Sequence, residues 1–379
     1  MTIIIQFYII TCIALLLFDL VFLMIKNRRT QELYPKNTRF ENEIRKEIQT
    51  YEETGEFSPN FSQSLPKKLV KIRNLITLVS LIREDEEKKK LFAPYICTLV
   101  DEYVKHPSSE QAYYAYVISL LDYEDASSRV TFVGKFMDLL DSNSIYTFSN
   151  AMNAIYHFGQ TNLMLQALQK ADERGEFYNS KLLIDGLLGG KFDFADLNPQ
   201  LVSHFDSYSP YLQASLLDYF RMNGFDAREL CLRLVKNQQL AEEVRYTAMR
   251  YFIKYPCRES EAYFLDVLKN SQSDWVDQML SIQGLSQADD PEVRNAIRNL
   301  VTSREWYVRV NAAKYLYHHD LSHQEVYQIL SRRDQYANEI LLYCCRDDEE
   351  LIRFIKETIA AFEQEDKEKS QVVHKEAMA

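Results

Sequence analysis

Glycine and proline are scarce, nine of each in 379 residues. A chain so short of the residues that open tight turns, bulges and hairpins is not expected to build a sheet; short connections between helices suit it better. The six cysteines, Cys12, Cys97, Cys231, Cys257 and the adjacent Cys344 and Cys345, include no CxxC and no paired spacing. That leaves no disulfide or zinc framework to read, and buried free thiols in a reducing compartment are expected. Also missing are a Walker-type loop, GxGxxG, GxSxG, HExxH and an Asp-rich calcium loop. No enzyme class is indicated, and a non-catalytic chain without cofactor is expected. Basic residues are outnumbered, 44 against 55 acidic ones for a formal charge of −11. Generic nucleic-acid binding is thereby disfavoured, because a phosphate backbone is held by an excess of cations.

Lysine and arginine are absent from the first 25 residues, where Gln6, Thr11 and Asp19 are the clearly polar side chains in a run from Ile3 to Ile25. A helix of that length crosses a hydrocarbon core, which takes about 20 residues. The lack of a basic start argues against a cleaved signal, so residues 1–25 are expected to be a transmembrane anchor. Lys26, Arg28, Arg29, Lys36 and Arg39 follow at once. Basic flanks resist translocation, which places the N-terminus outside a plasma membrane and the rest of the chain in the cytoplasm. Asp19 costs roughly 2.5–3.5 kcal/mol at the centre of a span and less near an interface. It sits either partly hydrated, about 9 Å from the inner end, or in a hydrogen bond to a partner's membrane helix.

Residues 26–66 are polar, hold Pro35, Gly55, Pro59 and Pro66, and are taken as a stalk or linker around a charged helical piece, Phe40–Ile48. From residue 67 apolar positions recur at helical spacing, beginning with Leu69, Ile72, Ile76, Val79 and Ile82, and continue to residue 362. Residues 363–379 are charged, lack a pattern and are expected to be a disordered tail. No long Gly/Pro/Ser linker interrupts the array after residue 66, which favours a repeat over two ordinary domains.

A spacing of 32 sets Val244-Arg245-Tyr246-Thr247-Ala248 against Val308-Arg309-Val310-Asn311-Ala312. In that register the stripes Leu212/Leu216/Phe220, Val244/Ala248/Phe252, Val276/Leu280/Gly284 and Val308/Ala312/Leu316 align, with Phe148/Met152/Tyr156 upstream. Extended, it takes in Tyr116/Leu120/Glu124, Ser180/Ile184/Leu188 and Ile340/Cys344/Asp348. Partner segments repeat too, Phe264–Leu268 standing 32 before Ala296–Leu300. Two helices per repeat cannot bury both stripes alone, so stacked pairs in an all-α, right-handed α-solenoid are expected.

The segment Trp306–Leu316, with its "VR, then AA, then L" order, resembles the second helix of a HEAT-like repeat, and Asp290–Ala296 has a related cast. The period is shorter than that of ordinary HEAT units and is similar to the compact units named after phycobilisome lyases. This resemblance is good over residues 240–320, and it implies a HEAT-like array that binds a protein partner. Bacterial proteins similar in layout accompany membrane enzymes such as glycosyltransferases of envelope or exopolysaccharide synthesis, which makes a membrane-tethered scaffold or regulatory subunit the expected role. Lyase-type kinship implies an alternative, an enzyme or chromophore-handling protein. A receiver of a cytosolic signalling ligand in a concave groove is a third class.

Arg245, Arg250, Arg309 and Lys314 fall at equivalent places on second helices, with Trp306 beside them. They read either as a basic ladder that meets an acidic partner segment or as an internal Asp–Arg ladder. His318, His319, Asp320 and His323 crowd one helix end, yet no fourth remote ligand can be placed, and no metal is assigned. Acidic groups before apolar segments, Asp289-Asp290 and Asp347–Glu350, read as helix caps. Pro66–Arg73 reads either as a lipid-facing basic patch or as the solvated face of a terminal repeat.

Overall fold

A computed structural model describes residues 2–33, 37–121, 132–175 and 179–377, with side chains except those of 2–5, 8–9, 25–33 and 369–377. Among the described residues the chain is all-α, a succession of helices without a strand. It divides into two compact units, Met1–Tyr178 with Asp185–Leu197, and Asn179–Ile184 with Asn198–Ala379.

The first unit opens with α1, Thr2–Leu33, a continuous helix of 32 residues. The side chains of residues 10–24 are all exposed and almost all apolar. Thr11 donates its hydroxyl to the Phe7 carbonyl at 2.9 Å, so this polar group is satisfied within the helix. Among the described residues no helix is long and apolar enough to cross a membrane; residues 10–24 fall short of the about 20 a crossing takes. Lys26, Arg28, Arg29 and Lys36, and Glu124 in the repeat register, lie outside the described side chains.

Packing begins earlier than residue 67. Within the 26–66 segment, α2 (Thr38–Thr54) buries Phe40 and Ile44, and α3 (Pro59–Leu69) buries Phe61 and Leu65. Asn37 caps α2 through the Phe40 amide and binds Asn74 and Thr77 of α4, Ile72–Ile82. A stalk of polar composition thus supplies two packed helices, because its few apolar residues fall on one face. The apolar pattern from Leu69 to Ile82 is broken by Val70 and Lys71, which separate α3 from α4. Lys68 pairs with Glu43 at 2.5 Å, whereas Lys67, Lys71 and Arg73 are exposed.

Helices α5 (Glu86–Cys97), α6 (Val100–Tyr103) and α7 (Ser108–Leu120) follow. The Tyr103 and Tyr114 rings stack at 4.5 Å, and their hydroxyls reach the Leu69 and Ile96 carbonyls at 2.9 and 3.0 Å. Paired hydroxyls let these tyrosines be fully buried. A 3₁₀ turn, Met137–Asp141, precedes α8 (Ile145–Phe158) and α9 (Thr161–Glu173). Then come α10 (Ser180–Gly189) and α11 (Phe194–His204), within which the division into units falls.

The second unit is a regular series of helix pairs. Second helices α12 (Pro210–Asn223), α14 (Glu242–Lys254), α16 (Trp275–Gly284), α18 (Trp306–His318) and α20 (Gln335–Cys344) pack each on the next. First helices α13 (Arg228–Val235), α15 (Arg258–Lys269), α17 (Pro291–Leu300) and α19 (His323–Leu330) lie against the second helices that follow them. Helix α21 (Glu349–Ala377) packs on α19 and α20. Its helix runs through most of the 363–379 tail, and Arg333 holds Glu365 at 2.8 Å while lying over the Phe362 ring.

The stripes 212/216/220, 244/248/252 and 308/312/316 are buried throughout. Elsewhere the register slides. In α16 the buried column is Asp277/Ser281/Leu285, one residue later, and in α20 it is Ala337/Leu341/Cys345, three earlier. Tyr116 and Leu188 of the upstream register are exposed. A fixed spacing fails where the connecting loops differ in length, since helix starts rather than residue counts set which face turns inward.

Candidate interaction surface

Arg245 and Arg309, on equivalent turns of α14 and α18, both point into the stack, 5% and 8% exposed. Arg245 is ion-paired to Asp277 of α16, and its guanidinium covers Tyr246 at 4.9 Å. Asp277 takes the place that Val244 and Val308 hold in their helices and reaches this arginine from there, while Gln278 stands level with Arg245 and Arg309 follows one repeat on, donating to the Ser303 and Arg304 carbonyls at 2.7 and 3.1 Å. The next member is Asn338 of α20, and before Arg245 comes Gln213 of α12, whose amide reaches the Phe205 carbonyl at 3.1 Å. Gln213, Arg245 and Arg309 are buried and Gln278 and Asn338 half-buried, so a polar column runs through the fourth position of five second helices. Two of its atoms, Arg309 Nε and Asn338 Oδ1, are buried without a hydrogen-bond partner. Buried charge of this kind is tolerated because each cation meets a carboxylate or carbonyls.

The remaining candidate residues face outward. Arg250 is part-exposed and bonds Glu243 at 3.1 Å and Thr247 at 3.2 Å. Lys314 is exposed beside a groove of about 320 Å³ between α16 and α18, lined also by Gln283, Asn311, Tyr317, His318 and His319. The Gln283 amide donates to Asn311 at 3.1 Å across that groove. Trp306 is 49% exposed and meets Tyr307 edge-on at 5.0 Å. Asp19 is exposed on α1.

The histidines disperse. His319 contacts the Ser286 carbonyl at 3.0 Å and lies tilted against Tyr315 at 4.4 Å, His318 meets His319 edge-on at 6.4 Å, and His323 stacks on Phe354 at 4.2 Å. Among the described residues no group of three or more metal-ligating side chains converges. All six cysteines are free; Cys97, Cys231 and Cys345 are buried, and burial pushes the Cys97 and Cys345 thiols up to about 12. Such thiols stay protonated and inert at neutral pH.

One polar junction escaped the sequence reading. Arg294 of α17 grips Glu325 of α19 with two bonds, 2.6 and 2.9 Å, and also reaches Asp289 at 3.0 Å and the Asp320 carbonyl at 3.2 Å. Glu325 meanwhile accepts from the Ser322 amide and hydroxyl in a capping box. Burial alone would raise its carboxyl, but the guanidinium and Ser322 hold it down at about 2. Ser-x-x-Glu was a visible capping signal; the Arg294 contact spans a repeat and was not.

The chain matches no protein-family model and no curated protein sequence.

Proposed function

We propose that this chain is a membrane-tethered scaffold or regulatory subunit whose HEAT-like α-solenoid holds another protein at the inner face of a plasma membrane. The observation that carries the reading is α1, whose side chains from Ile10 to Met24 are all turned to the outside of the fold. Fully exposing a large apolar side chain forgoes about 1.5–3 kcal/mol, so a row of them calls for lipid around it. The apolar run continues to Ile3 on one side and Ile25 on the other, and the basic exit beyond it favours a cytoplasmic array. Tethering raises the local concentration of the array near membrane partners. A membrane enzyme of envelope or exopolysaccharide synthesis is the partner class that the HEAT-like resemblance suggests.

Crosslinking in intact membranes followed by identification of the captured protein tests the reading. One defined membrane or membrane-associated protein should be recovered with the full chain. Recovery of none would sink the scaffold role, and turnover of a bilin or another small molecule by the purified chain would replace it with an enzyme. If Asp19→Leu leaves capture unchanged, α1 tethers without contacting the partner.

A further inference from the structure

Both tryptophans of the chain lie on one edge of the second unit, at the starts of second helices. The rings of Trp275 and Tyr307 stack at 5.8 Å with 22° between planes, and Trp306 adjoins Tyr307 edge-on. Tyr336, at the start of the next second helix, extends the row. Trp275, Trp306, Tyr307 and Tyr336 are 38, 49, 55 and 62% exposed. This chain fully buries rings as large as Tyr219, Tyr251 and Phe252, so four large rings left half in water, recurring with the repeat, form a contact surface.

The charge beside the rings is negative. Glu242, Glu243, Asp274, Glu305 and Glu339 are exposed at the same helix starts. The cations that the sequence places nearby are engaged by the chain itself: Arg245 by Asp277 and Arg309 by the Ser303 and Arg304 carbonyls inside the fold, and Arg250 by Glu243 at the surface. Arg304, Arg332 and Arg333 are exposed in the connections that lead into these helices, and of them Arg332 is held by Asn299 and Thr302 and Arg333 by Glu365. An acidic segment, the partner chemistry that a basic ladder would have selected, is repelled here.

The chain itself shows how a ring of this edge accepts a cation. The Arg309 guanidinium lies over Tyr336 at 5.0 Å, and Arg346 lies over Tyr343 at 5.1 Å two turns further along α20. Guanidinium planes stack on aromatic faces while their edge N–H groups bind carboxylates, which a lysine ammonium does less well. We infer that the ridge of Trp275, Tyr307, Trp306 and Tyr336 docks an arginine-bearing segment of the partner protein. Its guanidinium groups stack on the indole and phenol faces and donate to Glu305 and Asp274. The inference rests on the reading that the array binds a protein and supplies the partner's chemistry.

Because the two tryptophans are in the ridge, tryptophan fluorescence of the full chain in detergent micelles, excited where tyrosine does not absorb, reads this surface. Ten-residue peptides alternating Arg with Ser, Lys with Ser, and Glu with Ser serve as probes. The arginine peptide should change the emission saturably and bind about 5-fold tighter than the lysine peptide, as expected for exposed stacking; the glutamate peptide should not bind. Trp306→Ala with Tyr307→Ala, which alters no charge and keeps Trp275 as reporter, should weaken the arginine peptide about 10-fold with an unchanged urea midpoint. Equal binding of arginine and lysine peptides, binding of the glutamate peptide, no binding at all, or full affinity in the double variant would each overturn the inference. Crosslinking separates the two readings: capture of the same partner by the double variant removes the ridge but keeps the scaffold, whereas no capture by the unaltered chain removes the scaffold itself.

Discussion

Arg245 and Asp277 show why charge can sit inside this fold. Each removes the other's desolvation penalty, so deleting one partner costs far more than replacing both. Asp277→Ala leaves a buried guanidinium without its carboxylate, and a loss of about 3–5 kcal/mol is expected. Arg245→Leu combined with Asp277→Leu should fall within about 2 kcal/mol of the unaltered chain. Urea unfolding of the three proteins decides the matter; equal losses in the single and double variants would remove the pair from the stability of the stack. The Glu325 carboxyl makes a second prediction, through pH. Its folded pKa, about 2, lies below the ordinary value of 4.5. The stability it contributes is therefore complete above pH 4.5 and is lost as pH falls from there towards 2. Glu325 is buried but its partner Arg294 is part-exposed, and solvent there screens the effect to on the order of 2 kcal/mol. Glu325→Gln should lower stability at pH 7 and flatten the acid limb of the melting-temperature curve; an unchanged limb would deny the Arg294 grip.

Helix α16 shows how the element departs from the repeat, and why. Counted from the helix starts, Gly284 occupies the position where the neighbouring second helices carry Tyr251 and Tyr315. A Cβ added there would come within 2.1 Å of the Phe264 ring of α15, and Gly186 stands in the same relation to Tyr156 in the first unit. The volume missing from one helix is supplied by a ring of its neighbour. Gly284→Ala should destabilise by about 1–3 kcal/mol through overpacking. Phe264→Leu, harmful alone, should recover part of that loss, with a coupling of about 0.5–3 kcal/mol in a double-mutant cycle; additive effects would place the two residues out of contact. The pairing of helices was legible because i, i+4, i+8 stripes survive in the sequence. The slide of the buried column to Asp277 in α16 and to Ala337 in α20 was not, since loop length alters the register without altering the pattern. Arg245 and Arg309 could be placed on equivalent turns, with an internal Asp–Arg ladder as one of two readings, and the buried Arg245–Asp277 pair is of that internal kind. Composition also misread residues 38–54, where Phe40 and Ile44 suffice to seat a mostly charged helix.

At the scale of the molecule the contrast lies between α1 and everything after Asn37. The helices after Asn37 each bury an apolar face and leave only scattered large apolar groups outside, whereas α1 buries none of its described side chains and keeps Phe18, Leu20, Phe22 and Leu23 more than half exposed. The helix continues unbroken to Leu33, past the basic residues from Lys26 onward. If α1 spans a membrane with its basic end on the cytoplasmic side, two outcomes follow from one preparation. The full chain should sediment with membranes and resist extraction at high salt or alkaline pH, conditions that release proteins held by charge alone. In inside-out vesicles trypsin should remove residues beyond about 26, while in sealed right-side-out vesicles the same residues should survive intact. A chain starting at residue 37 should leave the membrane fraction altogether. Release of the full chain by salt would make α1 a surface helix, and digestion from the outer side would reverse the orientation that the flanking charges impose.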